Sequence, residues 1–273
     1  MIHQTTQDDP IVSLAMQNLR RESPESYQEL CDLFAEQEVR KGLAPAKNYI
    51  PNGKAEEFIQ IIGSGRHVVN IFCAANGVGK SCAGANILTN IIFGCQSKYF
   101  DHDIFKNWPY EKSCRIVSDP TTIKSKIIPE LQKWFPVNES KAFPEANYEL
   151  GKEGKNYVCK IQTQTGWTID IMSTEQDVKE FESADISLLW MDEPIPKDKF
   201  MACLARGRLG QIVLWPFTPL TYSAWITEWM DAHAADREYC NYVEAEMEDN
   251  CEVHGVRGIL KHENIKRMVD GMS

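Results

Sequence analysis

Two short stretches of the chain hold residue types that could do chemistry. The first is Ala74-Ala75-Asn76-Gly77-Val78-Gly79-Lys80-Ser81. Its two glycines let the backbone approach a ligand closely, and a lysine followed by a hydroxyl ends it. Such a loop turns backbone N–H groups toward an anion, and a helix starting there adds the positive end of its dipole. Phosphate is the anion this arrangement suits. Lys80 would reach the β- and γ-phosphates of ATP and Ser81 would lend an oxygen to Mg2+, with the backbone from Ala75 to Cys82 wrapping the rest. The usual Walker A pattern opens on glycine where this chain has Ala74. That weakens the match but leaves Gly77, Gly79, Lys80 and Ser81 in place.

The second stretch is Ile186-Ser187-Leu188-Leu189-Trp190-Met191-Asp192-Glu193, in which five of the first six residues are apolar. An apolar run of that length is a buried strand, and it delivers two carboxylates at its carboxyl end. Asp192 would hold Mg2+ and Glu193 would polarise an attacking water. An apolar run ending in two acids is by itself an ordinary strand exit. A Walker A loop upstream makes the magnesium and water roles the better reading. A third stretch, Ile212-Val213-Leu214-Trp215-Pro216-Phe217-Thr218-Pro219, would bring Thr218 to the same sheet edge, where a hydroxyl could couple to the γ-phosphate.

These residues need a scaffold, and the flanking pattern supplies one. Val68 to Cys73 reads as a strand and Lys80 to Phe93 as a helix of small residues; strands follow at Cys114–Ser118, Ile186–Met191 and Gln211–Phe217. Helices are expected over Thr121–Phe135 (with a kink at Pro129), 175–183, Lys197–Arg206 and Tyr222–Tyr239. Tyr157–Ile161 and Trp167–Met172 read as a hairpin turning at Thr165-Gly166. Alternating strands and helices imply an α/β protein with a mainly parallel sheet covered on both faces. Ahead of it, the first two dozen residues read as loosely held. Ser23-Pro24 then caps a helix that stops near residue 41, and Pro51-Asn52-Gly53 turns into a short helix carrying Phe58, Ile61 and Ile62. After Tyr242 the sequence becomes acidic and the alternation is lost. The expected division is thus a helical lead-in over 1–50, a core over 51–242 and the start of a linker subdomain over 243–273. Trp225 and Trp229 are four apart and suit helix packing better than base stacking.

The chain has 273 residues, a net charge of −10 and nine cysteines with no Cys-x-x-Cys pair. The charge excludes a generally basic, nucleic-acid-coating surface but not a local basic patch. The scattered cysteines read as reduced thiols. Cys251-x-x-His254, with Cys240 and His262 nearby, resembles a zinc spacing; a buried thiol and surface histidines is the preferred reading. The first residues carry no signal peptide, and no apolar stretch is long enough to span a membrane.

The ordered set of motifs resembles the ATPase domain of bacteriophage large terminase subunits: the Walker A loop, Asp192-Glu193-Pro194, the Arg206-x-Arg208 helix end, and a strand finishing at Thr218-Pro219. The resemblance implies a P-loop NTPase of the additional-strand, catalytic-glutamate (ASCE) type that hydrolyses ATP with Mg2+ and moves double-stranded DNA into a procapsid. It implies a homo-oligomeric ring when assembled, a monomer in isolation, and as partners the portal protein, the terminase small subunit and double-stranded DNA, all in the host cytoplasm and away from any membrane. It makes Glu193 and Lys80 catalytic, Asp192 and Ser81 magnesium ligands, and Thr218 the end of the coupling motif. Asn52 and Lys54 fall in the segment similar to the adenine contact, although Ala55 stands where a glutamine is usual. Asn76 replaces an arginine common in the loop. For a contact made in trans the chain offers only Lys179, Arg206 or Arg208. The tail from Gly258 to Ile265 is similar to the linker after the ATPase core. A nuclease domain usually follows in such proteins; nothing past Tyr242 resembles it, and nuclease activity is not expected of this chain. Lys124, Lys126, Lys152 and Lys155 are the candidate contacts to a DNA backbone. Two other classes fit the same motifs: a helicase- or recombinase-like ATPase, and a nucleotide-binding assembly module with negligible turnover.

Overall fold

The computed structural model describes residues 10–136, 148–150, 158–219, 224–233, 236 and 239–270. Lys152 and Lys155 lie outside them. The chain divides into two compact units, Met1–Leu43 and Ala44–Ser273. The first holds helices α1 (Pro10–Glu22) and α2 (Pro24–Leu43). The first of these corrects the expectation of a loosely held amino terminus. Pro10 opens it, where a missing N–H costs nothing, and Arg20 and Arg21 sit in its last turn, where cations suit the helix dipole.

The second unit begins with α3 (Gly53–Gly63), which Asn52 caps by accepting from the Ala55 N–H. Then come β1 (Val69–Ala74), α4 (Lys80–Phe93), α5 (Asp103–Lys106) and β2 (Ser113–Ser118). The helix expected after β2 is present in three parts: α6 (Pro120–Thr122), a π-helical turn over Ile123–Ile127, and α7 (Ile128–Trp134). Pro129 explains the interruption. It has no N–H to give and its ring crowds the carbonyl four residues back, so the preceding turn widens. Strands β3 (Tyr148–Leu150), β4 (Val158–Gln162) and β5 (Thr168–Ser173) follow, with α8 (Val178–Phe181), β6 (Leu188–Met191), α9 (Lys197–Leu204) and β7 (Ile212–Phe217) after them. The last elements are α10 (Ala224–His233), β8 (Cys240–Ala245) and α11 (His262–Asp270).

One eight-stranded sheet orders these strands β3-β4-β5-β2-β6-β7-β1-β8. The pairs from β5 to β8 are parallel, and β3 and β4 add an antiparallel edge. Strand β8 was not expected, because Asn241 and Glu244 interrupt its apolar residues and only three of its six residues are buried. It pairs in register with the whole of β1, from Val69 opposite Cys240 to Ala74 opposite Ala245. The expected boundaries at 50 and 242 therefore both fall inside structured segments of the second unit, since Tyr49 is buried in its core beside Trp134.

Alternation along the strands splits the core into two layers. Phe72, Leu188, Trp190, Ile212 and Leu214 face one side, where Phe58 and Ile62 of α3, Ile87 and Leu88 of α4 and Leu131 of α7 cover them. Val69, Ile71, Leu189, Met191, Val213 and Trp215 face the other, under Phe181, Phe200, Ile226 and Trp229 from α8, α9 and α10. On that side Trp225 and Trp229 pack against Trp215 and Phe200, as their spacing suggested. This is the P-loop NTPase fold. Among the described residues no helix is long and apolar enough to cross a membrane.

Candidate active site

Parallel strands all point their carboxyl ends the same way, so the exits of β1, β6 and β7 converge on one edge. Strand β7 lies between β1 and β6. The loop after β1 and the acids after β6 thus flank the residue leaving β7.

The loop owes its shape to its two glycines: Gly77 and Gly79 have φ of 82° and 93°, values that a side chain would strain. Two amide side chains from outside fix its peptide planes. Asn52 Nδ2 donates to the Val78 carbonyl at 2.8 Å, and Asn250 Nδ2 donates to the Gly77 carbonyl at 2.8 Å. A trans peptide points its N–H opposite its C=O, so pulling these carbonyls outward turns the Val78 and Gly79 N–H groups inward. The Ala75 N–H is committed elsewhere, to Ala245 of β8. Asn76 is exposed on the loop, and Cys82 takes part in the first turn of α4, where Asn86 bonds its carbonyl. Burial pushes the thiols on either side of the loop upward, Cys73 to about 11 and Cys82 to about 12.

Lys80 begins α4 and is buried. Its ammonium donates to the Ala74 and Ala75 carbonyls at 2.8 and 3.1 Å. Burial lowers its pKa, opposed by the charges of Glu193 and Asp192. Ser81 Oγ donates to Asp192 Oδ2 at 3.1 Å, closing the gap between β1 and β6 across more than a hundred residues of chain. Asp192 is buried. Burial pushes its carboxyl up to about 7; the Ser81 hydrogen bond pulls it down and Glu193 pushes it further up. Its other oxygen, Oδ1, is buried with no hydrogen-bond partner among the described residues. An unmatched carboxylate oxygen beside a hydroxyl is a hard-oxygen donor set, and it fits Mg2+.

Glu193 has a φ of 70°, rare for a residue with a side chain, and this turn re-aims it at β7. Its N–H bonds the Pro216 carbonyl. Thr218 grips both carboxylate oxygens, giving its N–H to Oε2 at 2.8 Å and its hydroxyl to Oε1 at 2.9 Å. The same hydroxyl lies 3.3 Å from the Asn76 side-chain amide. The atom of Asn76 that it meets is the amide oxygen, Oδ1, so the hydroxyl lies between two acceptors and is closer to Glu193. Loop, strand exit and carboxylate form one chain of contacts.

Some expectations find other tasks. Asn52, the candidate adenine contact, uses its oxygen to cap α3 and its nitrogen to hold the loop, and Lys54 pairs with Glu57 at 2.9 Å. Arg208 lies 3.8 Å from Asp185, and the Arg206 carbonyl bonds Ile186. Both contacts are at the amino-terminal end of β6, away from their own chain's site. Lys179 is exposed on α8. Lys126, a candidate DNA contact, is exposed on the π-helical turn, and its charge lowers the pKa of both Asp192 and Lys80. Asn250 was missed: nothing in its acidic surroundings marks it as a partner of a loop so far away in sequence.

No family model matches the chain, and no curated protein matches it. Solved structures do. The large terminase of a thermophilic bacteriophage superposes with a TM-score of 0.52 at 13% identity, covering 81% of this chain and 50% of that one. The chain has the fold of a large-terminase ATPase domain. Another crystal form of that phage terminase, in complex with ADP, gives 0.50 at 14% identity over 80% of this chain and 49% of that one. The chain thus spans about half the length of the terminases it resembles. At this identity the likeness establishes the terminase ATPase fold, and the roles of individual residues rest on the geometry above.

Proposed function

We propose that the chain is a DNA-packaging ATPase, the motor domain of a viral large terminase. The meeting of Ser81, Asp192, Glu193 and Thr218 at one sheet edge carries this reading. ATP would lie along the loop, with the inward N–H groups and Lys80 on its phosphates. Mg2+, held by Ser81 and Asp192, would neutralise phosphate charge. Glu193 would take a proton from the water attacking the γ-phosphorus as the bond to the β-phosphate oxygen breaks. Thr218 orients Glu193 and touches Asn76. A change in the loop on phosphate release would therefore reach the carboxylate and the strand behind it.

Translocation, the ring, and the portal, small-subunit and duplex DNA partners are part of the proposal; the terminase fold supports them, and so does a glutamate where hydrolysis needs one. ATP turnover measured with and without linear duplex DNA tests it. Glu193→Ala should bind ATP and lose turnover by about 10²–10⁴-fold, the usual contribution of a general base. Equal turnover in the two proteins would remove Glu193 from the mechanism. Stimulation by DNA would support the motor over an assembly module.

A further inference from the structure

We infer that Glu248, Cys251, His254 and His262 form a zinc site that braces the phosphate loop from outside. One ligand atom from each of the four lies within 4.8 Å of the others. Cys251 Sγ is 3.7 Å from His262 Nδ1. Tetrahedral zinc, with bonds of roughly 2.3 Å to sulfur and 2.0–2.1 Å to nitrogen, sets that edge at about 3.6 Å. His254 Nδ1 and Glu248 Oε2 stand 2.8 Å apart as a hydrogen-bonded pair. Both side chains are about half exposed, 52% and 47%, so they can part by the few tenths of an ångström that a shared metal requires.

The surroundings are those of a ligand set. Cys251 is fully buried, and its sulfur accepts the Val253 N–H at 3.5 Å. The two imidazoles meet edge-on with centroids 4.8 Å apart. The chain turns tightly about the cysteine. A Cβ on Gly258 would lie 2.0 Å from the Cys251 carbonyl oxygen, and one on Gly255 would lie 2.3 Å from that of Asp249. Cys240, close in sequence, is a residue of β8 and no part of the group. One thiolate and one carboxylate balance a dication, and the thiol proton passes to solvent as the metal binds. Sulfur with two imidazoles and a single oxygen selects zinc over magnesium or calcium, which prefer all-oxygen shells.

The site's position gives it a task. Asn250, which holds the Gly77 carbonyl, is the residue before Cys251, and the Leu260 side chain covers Gly77. The same segment holds the start of α3: Gly53 N–H bonds the Val256 carbonyl, and Arg257 Nε bonds that of Pro51. A metal clamping 248, 251, 254 and 262 would fix the segment that fixes the loop. This inference stands apart from the ATPase proposal.

Replacing bound metal with Co2+ in the full chain tests it directly. One cobalt per chain is expected, with a thiolate-to-cobalt charge-transfer band and tetrahedral ligand-field bands. Cys240→Ser should keep both, Cys251→Ser should lose the charge-transfer band, and His262→Gln should weaken zinc binding on the order of tenfold or more. Zinc should also raise the melting temperature of the wild-type chain. A wild-type spectrum without a sulfur band, or one that is octahedral, would overturn the assignment, whether or not Cys251→Ser folds.

Discussion

Glu193 combines two properties that pull against each other: a carboxylate that Thr218 grips at both oxygens, and a backbone conformation that side chains resist. A non-glycine residue at such a φ costs on the order of 1–3 kcal/mol. Glu193→Gly and Glu193→Ala both delete the carboxylate and its grip by Thr218, so their difference isolates the backbone. Thermal melts should show Glu193→Gly more stable than Glu193→Ala by about 1 kcal/mol; equal melts would mean that the turn has relaxed in both. Thr218→Val removes the hydroxyl bond to Oε1 and keeps the backbone bond to Oε2. A hydrogen bond to a charged group contributes about 1.5–3 kcal/mol, so steady-state turnover should fall by at least about tenfold with ATP affinity unchanged. Wild-type turnover in this variant would show that Thr218 does not position Glu193. That Lys80, Ser81, Asp192, Glu193 and Thr218 would meet at one sheet edge was legible in the sequence, the first two from the glycine loop before them and the other three from the apolar runs they follow. Asn250 and the role of Asn52 were not: amide-to-carbonyl contacts between distant segments leave no periodicity.

At the scale of elements, the site depends on how closely α4 sits on β6. Gly84 makes that approach possible, since a Cβ there would lie 2.8 Å from the Trp190 ring. Gly84→Ala would gain about 1 kcal/mol of helix propensity and lose about 1–3 kcal/mol to overpacking against a fully buried indole. The clash should win, so denaturant titration should show a net loss; a stabilised variant would mean that Trp190 has room to move. The helices and strands nearest the site followed from alternation and small-residue spacing. Strand β8 escaped because an edge strand has one exposed face and tolerates acids there, as Glu244 shows. The π turn before Pro129 was visible only as a kink, since a sequence shows the missing N–H but not how the chain absorbs it.

For the whole molecule, every described side chain of the two core layers comes from the unit Ala44–Ser273. A chain starting at Ala44 should therefore fold and bind ATP with unchanged affinity, its melting temperature within a few degrees of the full chain's. Failure of this shortened chain to fold would show that α1 and α2 supply stability which the core lacks. The fold class was legible because strand-helix alternation is a property of the whole chain. The division into units was not, because Ala44 to Ile50 reads as a loop and only packing makes Tyr49 part of the core.

The thiols beside the loop carry one more consequence, for the chemistry the protein can survive. Thiol oxidation and alkylation proceed through thiolate, and at neutral pH groups held near 11 and 12 are ionised in only about one molecule in 10⁴ or fewer. Cys73 and Cys82 border the place where nucleotide would sit, yet peroxide and alkylating reagents should leave them alone. A probe can therefore be attached at an exposed engineered cysteine while Cys73 and Cys82 beside the loop stay uncapped.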